Sequence, residues 1–93
     1  MVNYDEVIMI LKKVRSIIDD ENTDMIYSGY DTKEEVINEI DLYISKLMNK
    51  DCSVIAKINL LFAPTGTFQE LSISNNWSDL YLELSDLFDR AIK

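Results

Sequence analysis

Three stretches of the chain carry apolar residues at the three-to-four-residue spacing of an amphipathic helix. The predicted helices cover 3–18, 31–49 and 78–92. Asn3 and Glu6 have the spacing of a capping box, which indicates that the first helix begins there. Asn75, Asn76 and Ser78 are all residue types that cap helices well, and we expect Ser78 to be the N-cap of the last helix.

A fourth apolar stretch, 54–62, contains only two polar residues, Lys57 and Asn59. A helix that is apolar around most of its circumference is usually buried. We therefore predict that 54–62 is a central helix, covered on nearly every side by the other three. Pro64 disfavours a helical residue before it, so this helix should end by Phe62 or Ala63.

After the proline the pattern changes from a helical period to a short alternation. Leu71 and Ile73 alternate with polar residues, which is typical of a strand or an extended segment. We predict an extended strap over 64–76, and the apolar run 25–27 is its candidate partner for a short β pairing. Residues 25–27 are also expected to fold back onto the core. The predicted fold is mainly α, a single compact four-helix domain over 1–93 with this strap.

The charge balance narrows the classes of partner. Seventeen acidic and nine basic residues give a net charge of −8. Binding to nucleic acid and to anionic membranes depends on lysine and arginine, so neither partner is expected. A basic protein partner is compatible with this charge. No apolar run approaches the roughly 20 residues that are needed to cross a bilayer.

The single cysteine, Cys52, excludes a disulfide within the chain, and we expect it to be a small buried residue. Asp5 and Glu6 stand where a secretory signal would need positive charge. These features favour a cytoplasmic protein, and the composition is compatible with a small bacterial accessory protein.

The residue types needed for common catalytic sites are missing. Histidine is absent, which removes the commonest general base and the usual partner of nucleophilic serine or cysteine. Two glycines cannot form a phosphate-binding loop. The sequence therefore predicts a protein that is not an enzyme and has no cofactor.

One acidic stretch is similar to the start of a calcium-binding EF-hand loop. Asp20, Asn22 and Asp24 have the D-x-N-x-D spacing between two predicted helices. The pattern then departs from the motif, because Met25 stands where glycine makes the turn and Asp31 where glutamate is usual. A weak carboxylate calcium site in 20–31 is therefore an alternative hypothesis, beside an acidic loop that ends in a helix cap.

The remaining candidates belong to an interaction surface on the second and last helices and their flanking connections. The predicted members are Glu34, Asp41, Asp79, Glu83, Asp86, Tyr30 and Trp77. The leading hypothesis is a non-enzymatic interaction or regulatory protein. An alternative is an immunity- or antitoxin-like inhibitor that binds a basic enzyme. A homodimer that shares the apolar helix 54–62 is also compatible with the pattern.

Overall fold

Five α-helices and no strand make up the computed structural model, which describes residues 1–93 and places 69% of them in helices. The helices are α1 (Tyr4–Ile18), α2 (Lys33–Met48), α3 (Ile55–Phe62), α4 (Thr67–Ser74) and α5 (Ser78–Ala91). A 3₁₀ turn, Cys52–Val54, leads into α3. The radius of gyration is 12.3 Å, and about 12 Å is expected for a compact chain of this length. The prediction of a compact, mainly helical fold is confirmed.

Helix α1 packs against both α2 and α5. It begins as its capping pattern predicts, because the side chain of Asn3 accepts a hydrogen bond from the backbone N–H of Glu6. The backbone N–H of Asn3 also donates to the carbonyl of Ala91 at 2.7 Å, which joins the start of α1 to the end of α5. Lys33 at the start of α2 contacts Asp19 just after α1. Both neighbours therefore run antiparallel to α1.

An aromatic cluster joins the three α-helices of the second half of the chain, α3, α4 and α5. The ring of Phe62 at the end of α3 lies 4.9 Å from Phe68 of α4 and 4.8 Å from Phe88 of α5, centroid to centroid. The hydroxyl of Tyr81 donates to the carbonyl of Phe62 at 2.5 Å. This bond satisfies a carbonyl that the helix leaves free where Pro64 ends it, as predicted.

The prediction that 54–62 is covered on nearly every side is wrong, although most of it is helical. Ile58, Leu61 and Phe62 are buried, but the side chain of Leu60 is 71% exposed. The reason is that α3 packs mainly against α4 and the preceding turn, so that only one side of the helix is buried.

The prediction of an extended strap over 64–76 is also wrong, because most of it forms a fifth helix, α4. Phe68, Leu71 and Ser72 have i, i+3, i+4 spacing and are all buried on one side of this helix. The hydroxyl of Ser72 donates to the carbonyl of Gln69 at 2.7 Å, so the buried hydroxyl is satisfied without a strand partner. The chain therefore has five helices rather than four.

The expected β pairing with 25–27 is not formed, and those residues do not all fold onto the core. Met25 packs against the core, whereas Ile26 is 75% exposed and Tyr27 is exposed beside it. The residue that turns inward is Ser28, whose hydroxyl donates to the carbonyl of Met25 at 2.8 Å. This bond closes a tight turn in which successive residues cannot pair as a strand.

Two predictions at the starts of elements are corrected as well. Cys52 is exposed rather than buried, because the 3₁₀ turn directs Val54 into the core instead. Helix α5 begins at Ser78 with Trp77 in the N-cap position, and no side chain caps it.

Candidate interaction surface

The three acidic candidates on the last helix lie together and in solvent. Asp79, Glu83 and Asp86 are all exposed, at i, i+4 and i+7 along α5. Residues with this spacing share one side of a helix. The structure therefore brings these three predicted residues onto one surface.

The two acidic candidates on α2 are in different surroundings. Glu34 is exposed in the first turn, where a carboxylate is favoured by the helix dipole. Asp41 accepts two hydrogen bonds from the guanidinium of Arg15, at 2.6 and 3.2 Å, and so ties α2 to α1. The pKa of Arg15 is raised by this bond and by the charge of Asp41. Asp41 therefore has an opposite charge within the chain already.

The two aromatic candidates contact the protein itself. Trp77 is 9% exposed and belongs to the core. Tyr30 is partly buried, and its hydroxyl donates to a carboxylate oxygen of Glu39 at 2.9 Å. These contacts favour a role for both residues in closing the core over a role in binding a partner.

Two further residues extend the acidic side of α5. Leu82 is 63% exposed, and Asp89 is exposed one turn beyond Asp86. We call the five side chains together the α5 face; they are Asp79, Leu82, Glu83, Asp86 and Asp89. Helical spacing from Asp79 and Asp86 could have found both additions in the sequence. Arg90 is the only basic residue of α5, and it pairs with Asp86.

A groove of about 460 Å³ opens beside the α5 face. One wall comes from Phe62, Ala63 and Pro64 at the end of α3, and the other includes Leu82, Asp86 and Asp89 of α5. We call it the α3–α5 groove. This groove could hardly be predicted from the sequence, because the residues of its two walls are about 20 positions apart along the chain.

A larger, more polar cavity of about 570 Å³ lies beside the acidic loop, between Asp20 and Asp24 and the residues around Trp77. One oxygen of each carboxylate accepts a backbone N–H within the loop, from Asn22 at 2.8 Å and from Ile26 at 3.0 Å. No group of three or more acidic or cysteine side chains is assembled here that could hold a metal ion. These contacts are those of an acidic turn.

A hydrogen bond from Tyr30 to a carboxylate of α2 holds the connection between α1 and α2 against that helix. Glu39 accepts a hydrogen bond from the hydroxyl of Tyr30 at 2.9 Å, and its carboxylate also acts on the hydroxyl of Tyr43. Burial, followed by the interaction with this carboxylate, raises the pKa of each tyrosine to about 12. The protonated hydroxyl is thus the form that the fold requires.

This arrangement predicts a loss of stability at alkaline pH. The unfolded tyrosines ionise near pH 10, whereas the folded ones resist ionisation until about pH 12. Their contribution is therefore complete below pH 10 and declines as the pH rises from 10 towards 12. Urea unfolding at pH 9 and 11 should show this decline in the wild type and a smaller one in the Tyr30→Phe, Tyr43→Phe variant. The exposed Tyr27 supplies the control, because Tyr27→Phe should decline like the wild type.

Comparison with models of protein families, with curated proteins and with solved structures finds no match to this chain. None of its helices combines the length and the hydropathy that crossing a membrane requires.

Proposed function

We propose that this protein is a non-enzymatic interaction protein that binds a basic protein partner through the α5 face. The observation that carries the proposal is the concentration of exposed charge on one helix. Four carboxylates lie on this face against a single guanidinium, that of Arg90. Fields of one sign steer an oppositely charged partner and orient it as it docks.

A comparison with Asp41 of α2 supports the assignment of the binding surface to α5. Asp41 is held by two hydrogen bonds from Arg15, so a partner would have to compete with a contact inside the chain. On α5 only Asp86 takes part in an ion pair, and its partner Arg90 is itself well exposed. Asp79, Glu83 and Asp89 therefore have their charge available to a partner.

The proposal also covers the class of protein and the compartment in which it acts. An immunity- or antitoxin-like protein would be the case in which the bound basic surface surrounds the active site of an enzyme. The single cysteine is compatible with the reducing cytoplasm of a bacterium.

The proposal predicts salt-sensitive binding that depends on the α5 carboxylates. An oligolysine peptide should bind the wild type at about 20 mM salt and dissociate as the salt approaches about 200 mM. The Asp79→Asn, Glu83→Gln, Asp89→Asn variant should bind it roughly tenfold more weakly, since exposed charge pairs contribute about 0.2–1 kcal/mol each. Isothermal titration calorimetry measures both effects.

A second triple variant controls for net charge. Glu21→Gln, Asp31→Asn, Glu35→Gln removes the same charge from exposed positions outside α5. It should keep most of the affinity for oligolysine. Equal weakening in the two triple variants, or no binding by the wild type at low salt, would contradict the proposal. In a cell lysate, the relevant partner is retained by the wild type and the control but not by the α5 variant.

A further inference from the structure

We infer that the segment which docks on the α5 face is a basic amphipathic helix, whose apolar side chains enter the α3–α5 groove. This inference rests on the proposed function and adds the chemistry of the occupant. Its first support is Leu82, which is 63% exposed among carboxylates and forms part of the groove wall. A partner that covers Leu82 removes apolar surface from water, which favours binding.

The two walls of the groove differ in character, and together they define the occupant. The α3 wall, with Ala63 and Pro64, carries no charge, whereas the α5 wall carries Asp86 and Asp89. A wholly apolar segment would bury Asp89 without a partner, and Asp86 with only Arg90 beside it, which is costly. The lining also includes the polar side chains Asn59, Gln69 and Ser85. A wholly polar cation would nevertheless leave its apolar part, Ala63, Pro64 and Leu82, uncovered. An apolar stripe flanked by lysine or arginine satisfies both walls.

The groove is held in shape before anything binds. The hydroxyl of Tyr81 fixes the carbonyl of Phe62 at 2.5 Å, and the ring of Phe62 stacks on Phe88. These contacts join the end of α3 to α5, the two elements that form the walls. A preformed groove avoids the ordering cost that weakens binding to flexible surfaces.

The dimensions favour a helix that presents a few apolar side chains. A volume of about 460 Å³ is in the lower part of the range for ligand pockets, and the groove is open to solvent. An amphipathic helix projects apolar residues at i, i+3, i+4 and i+7 from one side and keeps charged residues beside them. This is the helix-in-groove mode of recognition, with the basic residues over the α5 carboxylates.

Two synthetic peptides of equal length and charge test the inference. Both have about 14 residues, enough for four helical turns. One carries leucines at i, i+3, i+4 and i+7 between lysines, and the other has serine at those four positions. The wild type should bind the leucine peptide about tenfold more tightly than the serine peptide, by calorimetry at low salt. Leu82→Ser should reduce this preference to about twofold or less.

Leu42 supplies the matched control. It is a leucine of α2 that is 53% exposed and lies outside the groove. Leu42→Ser should keep the full preference for the leucine peptide. Equal binding of both peptides by the wild type, or an equal loss of preference in both variants, would overturn the inference and leave the proposed function standing. No binding of either peptide at low salt would overturn both.

Discussion

Replacing Phe88 with alanine is expected to lower the free energy of unfolding by about 3–5 kcal/mol. The side chain of Phe88 is 0% exposed, and its ring stacks on Phe62 with the centroids 4.8 Å apart. Phe62 in turn contacts Phe68, so the cavity would open where α3, α4 and α5 meet. Domains of this size are typically stable by about 5–15 kcal/mol, so this variant should lose much of its stability.

Urea unfolding followed by the fluorescence of the buried Trp77 measures the loss. The control is Leu82→Ala on the same helix, where the exposed side chain should cost no more than about 0.5 kcal/mol. A loss for Phe88→Ala of the same small size would show that the aromatic cluster does not hold α5 in place.

The sequence predicted the three long helices well because each repeats its apolar period over three to four turns. The expected range 31–49 became Lys33–Met48, and 78–92 became Ser78–Ala91. The capping of α1 by Asn3 was also predicted, because the interaction is local. Interactions within a few residues are visible in a sequence, whatever the rest of the chain does.

Helix α4 was missed because eight residues give barely two turns of pattern. Leu71 and Ile73 have the two-residue spacing of a strand, whereas Leu71 and Ser72 would lie on the same side of a helix. The spacing alone does not distinguish the two structures. Only the packing decides between them, and it buries Phe68, Leu71 and Ser72 while it leaves Ile73 exposed. A serine in the core gave no apolar signal, although its hydroxyl is satisfied by the carbonyl of Gln69.

The candidate surface was predictable in part for the same reason. The acidic spacing of Asp79, Glu83 and Asp86 lies within one helix and could be read directly. The pairing of Asp41 with Arg15 joins two helices, and no local rule predicts it. The burial of Trp77 and the opening of the α3–α5 groove likewise depend on how distant elements pack.

A large loss of stability is also expected from a substitution at Gly66, in the link between α3 and α4. Its backbone has an ordinary φ of −78°, so conformational freedom does not explain the glycine. Space does, because a Cβ at this position would lie 2.6 Å from the carbonyl oxygen of Leu60 and 2.8 Å from that of Ala63. Both atoms belong to the backbone at the end of α3 and cannot rotate away as a side chain could.

Gly66→Ala is therefore expected to cost about 3 kcal/mol, the upper part of the usual range for overpacking. Gly29 offers the opposite case, since it has a φ of +85° and a Cβ added there would meet no atom within 4 Å. Gly29→Ala should cost only about 1 kcal/mol, from backbone strain alone. The free energies of unfolding of both variants, measured in urea, show which substitution costs more stability. If Gly29→Ala proved the more damaging, the close approach of Gly66 to the end of α3 would not be what requires a glycine at that position.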